Sequence, residues 1–161
     1  MSHLPPVRIG PARFPDDAGL VRQLFTEYVD SLGVDLSFQD VDTELADLPG
    51  KYAAPRGMVL IARDEAGDAV GAVALRPLPL PDTCEIKRLY VRPRARRQNV
   101  GRQLAEAIVS AGRTTGYKRA LLDTLPSMHA AQALYAALGF RPTAPYYRNP
   151  VPGTIYLALD L

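Results

Sequence analysis

Between positions 90 and 104 the sequence reads YVRPRARRQNVGRQL, which sets Arg92, Arg94, Arg96, Arg97 and Arg102 around Gly101 with no acid between them. Guanidinium groups at this density hold anions, phosphate above all, through charge-assisted hydrogen bonds. Three readings fit: a nucleic-acid patch, a seat for one specific anionic ligand, or a basic loop facing water. The first is weakened by the rest of the chain. The formal net charge is only +2, so the basic stretch is local, and Tyr90 alone offers a ring for base stacking nearby. Neither G-x-x-x-x-G-K-[ST] nor G-x-G-x-x-G occurs. Cys84 is the single cysteine and there is no Cys/His cluster, so neither an internal disulfide nor a metal is expected, and a reducing compartment is.

The surrounding elements decide what the stretch can do. Residues 6–13 read as a first strand. Leu20, Val21, Leu24, Phe25, Tyr28 and Leu32 mark one face of a helix that Asp16 and Asp17 start and Gly33 ends. A second helix spans about 38–48, with Val41, Leu45 and Leu48 apolar. MVLIARD and AVGAVALR flank EAGD as a hairpin. In the next strand, CEIKRLYV, alternation puts Glu85, Lys87, Leu89 and Val91 on one face and Ile86, Arg88 and Tyr90 on the other. A helix follows the arginines, with Val100, Leu104, Ala107, Ile108 and Ala111 as its stripe. Then come the strand RALLDT, a helix from Pro126 and Ser127 with Ser127 as N-cap, a strand near 140–146 and a last strand, TIYLALDL. The order is β-α-α-β-β-β-α-β-α-β-β, an α/β fold with a mixed sheet, expected as a single domain over residues 1–161.

The arginines therefore join a strand to a helix. The first turn of a helix carries unpaired N–H groups and a positive dipole end. Gly101 permits close approach to the backbone, and Asn99 tolerates left-handed geometry. Local residues alone leave two readings open, a pyrophosphate seat and a solvated loop.

IKRLYVRPRARRQNVGRQLAEAIV followed by AAQALYAALGF resembles the GNAT superfamily of N-acetyltransferases, which move an acetyl group from acetyl-CoA to an amine. The family's pyrophosphate loop, R/Q-x-x-G-x-G/A, aligns with Arg96, Arg97, Gln98, Asn99, Val100 and Gly101, with Asn99 in place of the middle glycine. LYAALGF (Leu134 to Phe140) matches the family's helix-to-strand ending. The two motifs cover residues 85–140. The resemblance implies a mixed, mostly antiparallel sheet of about seven strands flanked by about four helices. It assigns the pantetheine arm to the backbone of Leu89, Tyr90 and Val91, with an N–H near Leu89 polarising the thioester carbonyl, and the pyrophosphate to the loop from Arg96 to Arg102. It makes Glu85 the carboxylate that deprotonates the acceptor, with an ion pair to an arginine as the alternative role, and Tyr135 the proton donor to the departing thiolate, with core packing as its alternative. Asp123 lies at the cleft as a second base or a turn cap. Where the family often has asparagine, this chain has Met128.

Acceptor choice would fall to Tyr28, Tyr52, Arg56 and the segment holding Tyr146, Tyr147, Arg148 and Asn149, whose rings and arginines suit a small carboxylated amine such as an amino acid. A protein amine, or a sensor that binds acyl-CoA without turnover, are the alternatives. Cys84 reads as buried and inert, and His129 as a surface residue. MSHLPPVRIGP has no apolar run and no stretch reaches membrane-spanning length, so a cytoplasmic protein with no membrane, nucleic-acid or metal partner is expected. Dimers are common in the family, which makes a homodimer the assembly the resemblance allows.

Overall fold

A computed structural model describes residues 6–36 and 39–161. Its strands are β1 (Arg8–Pro11), β2 (Met58–Arg63), β3 (Ala69–Pro77), β4 (Thr83–Val91), β5 (Arg119–Thr124), β6 (Arg141–Pro142) and β7 (Ile155–Asp160). Its helices are α1 (Ala18–Leu32), α2 (Val41–Ala46), α3 (Val100–Thr115) and α4 (His129–Ala137). The strands form one sheet ordered β1-β2-β3-β4-β5-β7-β6. Among the described residues, β4 with β5 is the one parallel pairing. The expected order of elements is the observed one.

Several boundaries differ from the sequence expectation. β1 is shorter than 6–13. β6 is two residues rather than 140–146, because Pro142 has no N–H for the ladder. The expected second helix narrows to Val41–Ala46, and Phe38 lies outside the described residues. α4 begins at His129, not at Pro126. Met128 occupies the cap position without a side-chain cap bond, so Ser127 is not the cap. The Leu125 carbonyl instead accepts from the Met128 N–H at 3.0 Å and from Gln132 Nε2 at 2.8 Å.

The sheet has a core on each face. Val21, Leu24 and Phe25 of α1 pack on Val59, Ile61, Ala72 and Ala74. Leu104 and Ile108 of α3 pack with Leu75, Ile86, Leu122 and, from α4, Tyr135 on the other. Each fully buried Leu or Phe contributes about 1.5–3 kcal/mol relative to exposure. Gly33 closes α1 in left-handed geometry at φ 65°, as its position suggested.

Two glycines are required for steric reasons: a Cβ on Gly71 would lie 2.7 Å from the Tyr90 carbonyl oxygen, and Gly57 is tighter still. A Cβ on Gly57 would lie 2.4 Å from the Tyr52 carbonyl carbon, and that backbone cannot step aside as a side chain can. Gly57→Ala is expected to lower stability by about 1–3 kcal/mol, read from denaturant unfolding. An unchanged midpoint would show that the 52–57 turn relaxes freely.

The alternation expected along β4 fails at Arg88. Ala72 pairs with Tyr90 but Ala74 pairs with Lys87, so one more residue stands on β4 than on β3, and Arg88 sits at φ 62°. This is a β-bulge. It turns Lys87 and Arg88 to the same side, where both donate to Gln39 Oε1 at 3.3 and 3.0 Å. Beyond it the phase is reversed: Leu89 joins the core under α3, and Tyr90 joins the core under α1. The expected grouping of Leu89 and Val91 with Glu85 and Lys87 is therefore corrected.

Candidate active site

The parallel pairing of β4 with β5 stops early. It covers Thr83, Cys84 and Glu85 against Arg119, Ala120 and Leu121, and the bulge in β4 follows. A cleft occupies the gap. Its outer part is a groove of about 530 Å³ whose walls include Leu89, Tyr90, Val91, Arg96, Gly101 and Leu134. A narrower inner cavity of about 50 Å³ includes Lys87, Asp123, Thr124, Tyr135 and Asn149 in its walls. Tyr28, Leu32, Leu89, Met128 and Ala131 line both.

At the outer end, α3 starts from a loop in which Arg97 and Asn99 are both left-handed, at φ 66° and 64°. Asn99 holds the cap position, and no side chain caps the helix. The amides of Val100, Gly101 and Arg102, in the first turn of α3, have no carbonyl one turn earlier to bind. The left-handed geometry expected of Asn99 is present. Gly101 lines the groove, and a Cβ there would meet Val91 Cγ2 at 3.6 Å.

The arginines divide into two groups. Arg92 pairs with Glu27 at 2.8 Å, Arg94 with Asp64 at 3.1 Å and Arg102 with Glu106 at 2.9 Å. Arg96 donates to the Val91 carbonyl at 3.1 Å. Neither it nor Arg97 has an acid partner among the described residues. Both are exposed, and Arg96 lines the groove.

Two carboxylates flank the inner end in different states. Glu85 is 1% exposed and its cross-strand neighbour is Arg76. Glu85 Oε1 accepts from Arg76 Nε at 2.7 Å, and Arg76 Nη2 stands 2.7 Å from the same oxygen. Oε2 accepts from the Tyr146 hydroxyl. Both oxygens are engaged, and Glu85 is not among the residues lining the cavity. Asp123 does line it. Asp123 Oδ2 accepts from the Tyr147 hydroxyl and from Asn149 Nδ2 at 3.0 Å, while Oδ1 has no partner among the described residues. Tyr146 and Tyr147 are held by Tyr156, with ring centroids at 5.6 and 5.8 Å.

Tyr135 is 7% exposed and packs edge-on to Phe140 at 5.4 Å while lining the inner cavity. Burial pushes its phenol above the ordinary value, so the proton stays on at neutral pH. Burial likewise pushes Tyr28 up to about 12. Arg88 is bound at Nε and Nη2 by Glu44, at 3.0 and 3.3 Å, and Tyr52 donates to the same Glu44 at 2.8 Å.

The tertiary arrangement thus brings together Leu89, Tyr90, Val91, the Arg96–Arg102 loop, Asp123, Tyr135 and Tyr28. It sets Glu85, Tyr146 and Tyr147 one layer behind. Tyr52 and Arg56, expected at the acceptor rim, line neither part of the cleft. Tyr52 is a core residue beneath α1, and Arg56 lies over the Tyr117 ring at 5.9 Å. His129 is exposed and lines the groove. Cys84 is fully buried, with its thiol pushed up to about 12 by burial. Gln39, Glu44, Arg76, Lys87, Arg88 and Thr124 were missed. The adjacent Lys87 and Arg88 within an apolar strand were the available signal, since simple alternation would force one of them into a core. No metal-binding cluster occurs among the described residues, and none of their helices is long and apolar enough to cross a membrane.

Comparison with known proteins accords with this architecture. The model of the acetyltransferase (GNAT) family matches residues 21–140. The chain is 42% identical to an uncharacterized N-acetyltransferase of Schizosaccharomyces pombe, over 96% of this chain and 95% of that one. It is 31% identical to the uncharacterized N-acetyltransferase YjgM of Escherichia coli, over 78% and 75%. A GNAT-family acetyltransferase structure from Staphylococcus aureus superimposes with a TM-score of 0.78 at 16% identity, covering 96% of this chain and 99% of that one.

Proposed function

The chain belongs to the GNAT acetyltransferase family and is an acyltransferase, and from that premise we propose that it acetylates the primary amine of a small molecule by direct attack within a ternary complex. The observation that carries this reading is the continuity of the cleft, from the uncapped start of α3 to an inner cavity holding a carboxylate with a free oxygen and a protonated phenol. The residues present fit coenzyme A. The amides of Arg97 to Arg102 would hold the pyrophosphate, and the backbone of Leu89, Tyr90 and Val91 the pantetheine arm. Acetyl-CoA supplies an acyl group already activated as a thioester.

The chain's own residues supply the rest. Alkyl amines carry a proton at neutral pH, with a reference value of about 10.4 for lysine. Asp123 takes that proton at its free Oδ1, directly or through water. The sequence pointed to Glu85 for this step, and the geometry favours Asp123, because Arg76 and Tyr146 occupy both Glu85 oxygens. The backbone N–H near Leu89 orients and polarises the acyl carbonyl. Tyr135 gives its proton to the sulfur of the leaving group. The narrow inner cavity favours a small acceptor over a protein side chain.

Calorimetry of acetyl-CoA and CoA at two salt concentrations tests the seat. Micromolar binding of both, weakening at high salt, is expected, and no binding at either salt would sink the proposal. Tyr135→Phe keeps the ring packing on Phe140 and removes only the hydroxyl. It should lower kcat by about 10²–10⁴-fold with little change in acetyl-CoA affinity. An unchanged kcat across pH would remove the acid role.

A further inference from the structure

Lys87 lines the inner cavity and takes no part in the acetyl transfer described above. It is 8% exposed, and a charged group so buried is ordinarily matched by an anion in contact. The nearest carboxylate oxygen is Glu85 Oε1 at 3.9 Å, already bound by Arg76 at 2.7 Å. The closer contact is the neutral Gln39 amide oxygen at 3.3 Å, which Arg88 shares at 3.0 Å. An ammonium has three protons to donate. Burial lowers the pKa of Lys87, and Arg88 and Arg76 add to that against the opposing pull of Glu85 and Asp123.

The neighbouring charges are matched. Arg88 is met by Glu44 and Arg76 by Glu85. That leaves one cation, Lys87, and one carboxylate with a free oxygen, Asp123, in the walls of one small cavity. The Thr124 hydroxyl, buried and without a partner among the described residues, belongs to the same walls.

We propose that the acceptor is a small zwitterion of the amino-acid type, its carboxylate seated on Lys87 and its amine presented to Asp123. This rests on the acetyl-transfer reading and narrows it. A peptide or protein lysine carries no carboxylate beside its amine and would leave Lys87 with only the Glu85 oxygen at 3.9 Å that Arg76 already binds. The volume, about 50 Å³, has room for a few water-sized groups at about 10–15 Å³ each, which suits a short acceptor. Gln39, bonded to both Lys87 and Arg88, positions the ammonium.

The test measures initial rates with acetyl-CoA and three matched series: the common L-amino acids, their carboxamides and their decarboxylated amines. At least one amino acid should exceed both of its analogues by about 30-fold in kcat/KM, the scale of one charged hydrogen bond. Lys87→Met should erase that gap, and Lys87→Arg should keep most of it, with thermal unfolding of both variants recorded. Carboxamides and amines used as well as the acids would overturn the zwitterion proposal and leave acetyl transfer standing, as would a gap that persists in a folded Lys87→Met protein. Acetyl-CoA binding with no acceptor in any series would also overturn it. Loss of acetyl-CoA binding in the unmodified protein would instead remove the transferase reading on which it rests.

Discussion

Asp123→Asn is expected to lower kcat/KM by about 10²–10³-fold, within the range of a positioned general base. The substitution is nearly isosteric. The side-chain oxygen can still accept from the Tyr147 hydroxyl and Asn149 Nδ2, which hold one side of the carboxylate. What disappears is the free basic oxygen, Oδ1. Initial rates at saturating acetyl-CoA measure the loss. A variant within threefold of the parent would move the proton-accepting role elsewhere.

Glu85→Ala is expected to cost about 3–5 kcal/mol of stability, the usual result of removing one partner from a buried ion pair. Glu85 is 1% exposed. Its loss leaves Arg76 without its carboxylate, removes the nearest acid from Lys87 and frees the Tyr146 hydroxyl. Equilibrium unfolding in urea measures the loss. Glu85→Gln separates this role from catalysis, since the amide oxygen can still accept from Arg76. It should keep far more activity than Asp123→Asn. If Glu85→Gln abolished activity while Asp123→Asn preserved it, Glu85 would be the base and the assignment would reverse. A Glu85→Ala protein as stable as its parent would show that the Arg76–Glu85–Tyr146 network contributes little.

The order of elements was legible because it depends on signals that act within a few residues. The apolar stripe of α1 and the glycine at its end, the hairpin turn between β2 and β3, and the left-handed tolerance of Asn99 at the start of α3 all act locally. The family motifs lie in the same local stretches, and so the start of α3 beside the groove and Tyr135 in the cavity wall could be expected from the chain alone. Even there, a boundary was lost where a competing local bond existed, as where Leu125 and Gln132 displace the start of α4 to His129.

What only the tertiary structure decided depends on partners far apart in the chain. Arg92 and Glu27 are 65 positions apart, Arg94 and Asp64 are 30 apart, and Tyr146 and Glu85 are 61 apart. The run of arginines looked uninterrupted by acids, and folding brings distant acids to two of them, Arg92 and Arg94. The bulge at Arg88 has the same character. Period-two alternation states the phase of a strand only while its register with the neighbour is unbroken. The extra residue opposite β3 reversed that phase, turned Lys87 and Arg88 to one side and put Leu89 at the junction of the two cavities. The choice between the two carboxylates follows from the same cause. Sequence shows that Glu85 and Asp123 exist, but which of them keeps a free oxygen depends on where Arg76 and the tyrosines of the β6–β7 connection come to rest, and packing decides that.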